Sequence, residues 1–472
     1  MSPMLGWGGG VPRVRQWAAV DPVVVPVARL NQTPFEVSIT DLARDGRGAG
    51  RLESGKTVFV WGALPGERVV ARRTRRSRDF DQAVTLEVLE ASPDRVAPRC
   101  PHYGGCGGCV LQHLDPGRQI AAKQETLLGL LREAGGLEPA EVLAPLVDAA
   151  WGYRRKGRLS VRWVAKKGRT LVGFREPDPR FVADLSECHT VVPEIGSRIG
   201  ALAELVDGLE ARAVIPQIEF IAGDEALTLV IRHLEPLVEA DREKLVAFSM
   251  AHGLAIFLQP GGLDSVHPLW PKEPPRLSLR LAPWDVELDF QPMDFIQVNA
   301  GLNEKMIARA LELLEAGPGD RVLDLFCGLG NFTLPLARTV REVVGVEGDP
   351  GLVERARENA RRNGIGNAHF HAADLTLDQR QAPWMAQGFD KLLLDPPRSG
   401  ALEVLQQLPV GQFRKIVYVS CNPVSLARDA EYLVNQRGWK LRSAGVMDMF
   451  PHTAHVETIA LFEPARGERD GD

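Results

Sequence analysis

The chain is predicted to be an α/β protein built around a doubly wound, mostly parallel sheet, with a small β-barrel on its N-terminal side and a mixed α/β segment between. Three observations predict the sheet. From about residue 291, short apolar runs alternate with helical stretches, the pattern of strands joined by crossover helices. A glycine-rich turn, Cys327-Gly328-Leu329-Gly330-Asn331-Phe332, follows the first run. Glu347 closes the second run, about 20 residues on, where an acid commonly holds ribose hydroxyls.

Each element has its own signal. Asn299 caps a helix whose apolar residues Leu302, Met306, Ile307, Ala310, Leu311 and Leu314 recur at helical spacing, and Pro318-Gly319-Asp320 ends it. Strands are predicted over Arg321 to Phe326, Glu342 to Val346, Lys391 to Leu394 and Lys415 to Val419, with helical stretches between them, as at Val353 to Arg362. Residues 33–92 read as the barrel: strands Phe35 to Ile39, Thr57 to Val60, Arg68 to Ala71 and Ala83 to Val88 alternate with turns at Asp45-Gly46, Pro65-Gly66 and Ser92-Pro93-Asp94. Residues 93–290 are mixed. They hold a cysteine segment, an amphipathic helix from Pro116 to Ala134, a basic strand region and a second β-rich module through Leu227 to Ile231 and Leu254 to Leu258. Residues 291–472 form the sheet domain, and residues 1–32, broken by prolines, read as a disordered tail.

A chain of 472 residues, 44% apolar and 25% charged, is a multidomain globular protein in composition. No apolar stretch approaches the ~20 residues of a membrane helix, and the N-terminus lacks the basic start and cleavage site of a signal peptide, so a cytoplasmic protein is expected. The net charge of −5 excludes a uniformly basic nucleic-acid binder. Its distribution says more. Arg68 to Arg78 contains six arginines, and Trp151 to Arg169 contains Arg154, Arg155, Lys156, Arg158, Arg162, Lys166, Lys167 and Arg169 without one acid. A single such run is usually a solvated face; two outside the sheet domain favour a polyanion such as RNA.

Six cysteines are too few for a secreted disulfide scaffold of this size. Cys100-x5-Cys106-x2-Cys109, with glycines at 104, 105, 107 and 108, has the spacing of thiolates around zinc or an iron–sulfur centre. Cys188 is a candidate fourth ligand, and His102, His113 and His189 keep zinc open. Cys327, inside the glycine turn, is read as structural. Cys421 follows an apolar strand, and Asn422-Pro423 opens a helix whose N-terminus favours thiolate. A lone cysteine is more often a small buried hydrophobe. Asp395-Pro396-Pro397-Arg398 stops the fourth strand and leaves Asp395 at the sheet's carboxyl edge, where ligands of such sheets bind. Asp374 follows the next apolar segment as a candidate for an adenine edge.

Together these blocks resemble the bacterial uracil-C5 RNA methyltransferases, in particular the branch acting on 23S ribosomal RNA. The blocks are Phe295-Ile296-Gln297-Val298-Asn299, the string from Leu325 to Ala337, Val346-Glu347-Gly348, Asp395-Pro396-Pro397-Arg398 and Ser420-Cys421-Asn422-Pro423. The tRNA branch lacks the cysteine cluster. Another ribosomal branch shares it but not the Asn331-Phe332 pair. Where the family usually has Thr, this chain has Ser425, which keeps the hydroxyl. The resemblance implies a Rossmann-like class I S-adenosylmethionine methyltransferase domain, an OB-like TRAM barrel that binds RNA and a mixed α/β iron–sulfur central domain. It implies S-adenosylmethionine ligands at Gln297, Phe326, Asn331, Glu347, Asp374 and Asp395, a nucleophile at Cys421 and a base at Glu457. It further implies a 4Fe–4S cluster on Cys100, Cys106, Cys109 and Cys188.

The implied chemistry has a physical reason. C5 of uracil is too weak a nucleophile to take a methyl group from a sulfonium unaided; a thiolate at C6 would turn the ring into an enolate. The product is expected in 23S rRNA, from a uridine looped or flipped out of structure. Alternatives are another rRNA or tRNA uridine, a radical enzyme using the cluster, an amino methyltransferase using the Asp-Pro-Pro turn, and a non-catalytic RNA-binding assembly factor. Four protein thiolates leave no open iron for the radical route, and Arg398 stands where an amino methyltransferase has an aromatic.

Overall fold

The computed structural model describes residues 33–465, and the chain divides into two compact units between Ala97 and Pro98. The tail read at residues 1–32 lies outside the described residues. No helix among the described residues is long and apolar enough to cross a membrane.

The first unit is a closed barrel of β1 (Phe35–Leu42), β2 (Gly48–Arg51), β3 (Thr57–Trp61), β4 (Arg68–Arg76) and β5 (Phe80–Glu90), in the order β1-β2-β3-β5-β4. Alternate residues Val37, Ile39, Val58, Val60, Val69 and Ala71 fill it, as the two-residue period of a strand requires. Strand β2 has no apolar run to announce it. Its glycines are there because a Cβ at Gly48 would lie 2.7 Å from the Ala63 carbonyl oxygen and one at Gly50 2.5 Å from that of Ser38. Strands β4 and β5 run on past the predicted ends because their outward arginines and acids face solvent while the ladder continues.

In the second unit the helix Pro116–Gly135 is capped by Asp115, whose carboxylate accepts from Gly117 N and Arg118 N. It is followed by a two-residue strand, β6 (Glu141–Val142). A six-stranded sheet then forms from β7 (Lys156–Val164), β8 (Arg169–Gly173), β9 (Gln217–Ala222), β10 (Leu227–Arg232), β11 (Ala255–Gln259) and β12 (His267–Trp270), ordered β12-β11-β10-β9-β7-β8. A hairpin, β13 (Leu277–Leu281) and β14 (Val286–Phe290), bridges this sheet and the C-terminal one. Leu277, Leu279 and Phe290 pack with Ile221 and Val230, whereas Leu281, Val286 and Leu288 pack with Leu302 and Met306.

The third layer is an eight-stranded sheet. Its strands β15 (Arg321–Leu325), β16 (Glu342–Glu347), β17 (Ala368–Ala372), β18 (Lys391–Leu394), β19 (Lys415–Ser420), β20 (Trp439–Met447) and β21 (Glu457–Pro464) take the order β17-β16-β15-β18-β19-β21-β20-β6. Strands β15 to β19 are parallel to one another, while β21 lies antiparallel between β19 and β20. The order reverses between β15 and β18, which opens a crevice at their carboxyl ends. Both faces are covered, so these strands read as continuous apolar runs: Val322, Leu323, Leu325, Leu392, Leu393 and Leu394 are all buried.

One difference from the expected organisation matters for the site. The helix Pro116–Gly135, read as part of the central domain, buries Leu127, Leu130 and Leu131 in the core of the eight-stranded sheet beside Tyr418 and Leu426. β6 extends that sheet by pairing with β20. Periodicity reveals that a helix has an apolar face, not which core receives it.

Gly345 in β16 tests the packing. A Cβ there would stand 2.8 Å from Cys327 Sγ and 2.9 Å from Phe370. Gly345→Ala should therefore lower stability by about 1–3 kcal/mol, read as a drop in denaturation midpoint with an unchanged slope.

Candidate active site

The crevice is built from strand ends at one level. Leu325 pairs with Val346 on one side and Leu394 on the other, so Phe326, Glu347 and Asp395 emerge together. The turn after β15 bends sharply: Phe326 has φ +64°, Gly328 +54° and Gly330 +91°. A non-glycine residue in that region is uncommon. Phe326 N and Cys327 N both donate to Val346 O, at 2.8 and 3.1 Å. Above Gly328 the space is open, with no heavy atom within 4 Å of where a Cβ would stand.

Glu347 is oriented by two backbone donors, Gly328 N to Oε2 at 3.1 Å and Asp349 N to Oε1 at 3.0 Å. Each oxygen keeps a lone pair for a ligand hydroxyl. Asp374 lies two residues past β17, exposed, its Oδ1 accepting from Thr376 N and Oγ1 at 3.0 and 2.6 Å. Asn331 exchanges two 2.9 Å hydrogen bonds with Asn303, amide to amide, so its side chain is already partnered. Gln297 stands in a segment pinned from the central sheet, where Arg155 N donates to Val298 O at 3.0 Å and Lys156 Nζ donates to the carbonyls of Pro292 and Asp294 at 2.8 and 2.5 Å. Cys327 is buried against Gly345.

Cys421 and Glu457 come from different strands and meet through register. Ser420 pairs with Thr458 in the antiparallel β19–β21 ladder, so the next position sets Cys421 against Glu457. Burial pushes the Cys421 thiol up to about 11, helped by the negative charges of Glu457 and Asp395 and opposed by Arg398. Burial, then Asp395, pushes Glu457 up to about 8 against the pull of Arg398 and Lys123. Burial raises Asp395 to about 7. Beneath them Asp324 is fully buried, accepts from Thr333 Oγ1 at 2.5 Å, and is raised by burial to about 8. This edge is short of positive charge, and Arg398 is the cation that acts on both Cys421 and Glu457.

Sequence reasoning missed the clamp that holds the Arg398 turn. Asn422 caps the helix Pro423–Glu431 through Val424 N at 3.2 Å and donates its side-chain amide to Arg398 O at 2.8 Å. The buried Asp429 accepts from Ala401 N and from Tyr418 OH, both at 2.7 Å, and pairs with Arg428, which donates to Ser399 O at 2.8 Å. Gly400, at φ +86°, lets the chain press onto this pair. The Gly400-to-Asp429 gap in sequence hides the connection; only the unusual Asp and Arg neighbours in an apolar helix hinted at it.

The four cysteines of the central region are electrostatic neighbours: Cys188 and Cys100 act on Cys106, and all three act on Cys109. Gly108 N donates to Cys106 Sγ at 3.3 Å, and a Cβ on Gly107 would meet the Arg175 carbonyl oxygen at 2.9 Å. Each nearby histidine has one ring nitrogen engaged. His102 Nε2 takes Ser186 Oγ at 3.0 Å, His113 Nδ1 faces Tyr103 OH at 2.5 Å, and His189 Nε2 faces Glu187 at 3.1 Å. Among the described residues no three His, Cys, Asp or Glu side chains converge closely enough to hold a single metal ion.

The two basic runs differ in kind. In the barrel, Arg75, Arg76 and Arg78 are exposed and make no ion pair among the described residues, though Arg68 pairs with Glu36 and Glu90 and Arg73 with Asp81. In the central sheet half of the run is paired: Arg155 with Asp224, Arg158 with Glu219, and Lys167 and Arg169 with Asp184. The run without one acid in sequence thus gets three acids from elsewhere in the chain.

The sequence profile of the tRNA (Uracil-5-)-methyltransferase family matches residues 276–464, and that of the TRAM domain matches residues 30–76. The chain is 69% identical over 437 residues to the 23S rRNA (uracil(1939)-C(5))-methyltransferase RlmD of Xanthomonas campestris pv. campestris (strain 8004), covering 92% of this chain and 98% of that one. It is 66% identical, with the same coverage, to the protein of that name from Stenotrophomonas maltophilia (strain K279a). The chain belongs to the RNA uracil-C5 methyltransferase family, in its RlmD branch. A solved relative, the Pyrococcus abyssi tRNA (uracil-54, C5)-methyltransferase in complex with S-adenosyl-L-homocysteine, superposes with a TM-score of 0.69 at 25% identity, over 90% of this chain and 99% of that one. As a member of this family the chain is an S-adenosylmethionine-dependent methyltransferase with a TRAM barrel at its N-terminal side.

The buried carboxyls of this methyltransferase have a measurable consequence. Their folded pKa values of about 7 to 8 lie above the unfolded carboxylate range, so the folded state binds protons more tightly. Their stabilising effect is full below about pH 4 and is lost as pH rises towards about 8, by at most ~1.4 kcal/mol per pH unit per group. Asp324→Asn removes one of them, and should flatten the fall in melting temperature between pH 6 and 9. A slope identical to that of the parent protein would contradict the assignment.

Proposed function

We propose that this enzyme methylates C5 of a uridine in 23S rRNA, the one named in its relatives as uracil 1939, through a covalent bond from Cys421 to C6. The observation that carries the reading is the register that sets Cys421 against Glu457 beside Asp395 at the crevice. A tRNA or other rRNA uridine is the second reading, favoured by the likeness to the archaeal tRNA enzyme; the far higher identity of the 23S relatives weighs against it.

S-adenosylmethionine supplies the methyl group. The open space over Gly328, the free lone pairs of Glu347 and the exposed Asp374 fit its sugar and base, with Gln297, Phe326, Asn331 and Asp395 around them. Asn331, spent on Asn303, contributes chiefly by fixing the turn. At the reacting end Cys421 gives its proton to water and adds as thiolate to C6, and the π electron pair of the C5–C6 bond moves onto C5 and O4. Arg398, which draws both thiol and carboxyl towards ionisation, stabilises the thiolate and the enolate oxygen. C5 takes the methyl group, S-adenosylhomocysteine leaves, and C5 now bears both a methyl and a proton. Glu457 accepts that proton as the C6–S bond breaks and the thiolate is released. A carboxyl tuned near 8 is a stronger base than an ordinary one, which suits removal of a carbon-bound proton. The target must leave its stack to expose C6 to a thiol, and the exposed arginines of the barrel supply phosphate contacts. An rRNA substrate implies that this work is done in the cytoplasm.

Cys100, Cys106, Cys109 and Cys188 are the ligands we assign to a 4Fe–4S cluster. The donor set is four soft thiols, with a glycine cradle and an N–H···S bond. Bound there, the cluster would cross-link residues 100–109 to residue 188. The methyl transfer is polar at every step, so it calls for no electron from it.

Two experiments test these assignments. Cys421→Ala should keep cofactor binding and lose turnover by at least about 1,000-fold, and RNA carrying 5-fluorouridine at the target should form an adduct with the parent protein that survives denaturation. RNA and protein that separate cleanly, from an otherwise active enzyme, would sink the covalent route. Anaerobically purified protein should contain iron and acid-labile sulfide in equal amounts, both lost in Cys106→Ser; bound zinc instead would exclude the cluster.

A further inference from the structure

The loop from Asp448 to Val456 joins β20 to β21 and delivers Glu457. It makes few hydrogen bonds of its own and is gripped by residues 110–123, just beyond the cysteine motif. Lys123, buried, donates from Nζ to Asp448 Oδ1 at 2.7 Å and to Phe450 O at 3.1 Å. Gln119, also buried, takes His452 N on Oε1 at 3.0 Å and gives Nε2 to His452 Nδ1 at 3.3 Å. Val110 N and Leu111 N both donate to His452 O, at 2.9 and 3.0 Å. His452 itself sits at φ +66°, a conformation a bulky side chain keeps only where its surroundings over-determine it.

We propose that Gln119 and Lys123 are positioning residues for the base. They hold the β20–β21 loop so that Glu457 reaches C5 in the second half of the reaction. This rests on the covalent mechanism above. The grip converges on one loop that ends at one catalytic carboxylate, and a buried lysine and glutamine are costly to place in a merely packed interface. Lys123 also draws the Glu457 carboxyl down against its burial, so the same side chain that fixes the loop keeps the base ionisable. The helix bearing both residues begins at Pro116, seven residues after Cys109. Order in the cysteine segment is thereby transmitted to the base.

The mechanism separates this role from simple stability. Adduct formation needs Cys421 and cofactor, whereas resolution needs Glu457. In Lys123→Met, in Lys123→Met with Asp448→Asn to leave no unpaired charge, and in Gln119→Ala, turnover on unmodified RNA should fall about tenfold or more. The methylated protein–RNA adduct should accumulate under denaturing conditions, while trapping by 5-fluorouridine RNA stays within about threefold of the parent rate and the cofactor KM is unchanged. Glu125→Gln, exposed on the same helix, should behave as the parent. The inference is overturned if the variants turn over like the parent, or if trapping and turnover fall together. Absence of trapping in the parent protein would instead overturn the covalent mechanism.

Discussion

The catalytic edge hangs on a single topological fact, the insertion of β21 antiparallel between β19 and β20. A sheet of parallel strands alone delivers every catalytic candidate from the same kind of position, a strand's carboxyl end. Glu457 comes from the opposite end of a strand, the start of β21, and reaches the same edge only because β21 runs the other way. The register thus sets Cys421 across from Glu457, one position beyond the Ser420–Thr458 pair. A slip of one residue would turn Glu457 to the other face of the sheet. The register is secured by buried neighbours on both sides, Ile459, Ala460 and Leu461 against Val419, Tyr418 and Val417, and by Thr458 Oγ1 donating to Ser420 O at 3.1 Å.

That juxtaposition has an electrostatic cost which also serves the chemistry. Burial raises Cys421, Glu457 and Asp395 together, Asp395 raises Glu457 further, and both carboxyls raise Cys421. Burial thus works against carrying several anions at this edge at once. Arg398 is placed to relieve this, and its placement explains the effort spent on its turn. Asn422, Arg428 and Asp429 all bond to the backbone between Arg398 and Ala401. In the proposed reaction a sulfonium in the crevice would add a second positive charge beside the same groups and favour ionising Cys421.

Much of this was legible in the chain because parallel strands buried on both faces leave long apolar runs with chemistry punctuating their ends. β15, β16, β18 and β19 stand where their runs do, and Glu347, Asp395 and Cys421 sit at or just past those ends. Elements without that pattern were opaque for definite reasons. β2 carries glycines in place of apolar residues because the barrel wall leaves no room for a Cβ. β20 mixes polar and small residues, and Gly445 is required by Leu143, 2.8 Å from where its Cβ would be. The ion pairs of the central basic run were hidden because its acids, Asp184, Glu219 and Asp224, come from other strands and loops. The role of Asp429 was hidden because its partners Ala401 and Tyr418 meet it only in the folded chain.

The central region is built into the support of the eight-stranded sheet. Its chain crosses twice onto the catalytic sheet: the helix Pro116–Gly135 packs into the core beside Tyr418 and Leu426, and residues 154–156 bond to the backbone from Pro292 to Asn299, the stretch that contains Gln297. The first crossing supports the loop that precedes Glu457, the second the segment that contains Gln297. Shifting either would break hydrogen bonds of buried or part-buried groups. A catalytic domain cut free of residues 98–290 would lose the supports of Glu457 and of Gln297 at once, although every residue assigned to chemistry lies outside that segment.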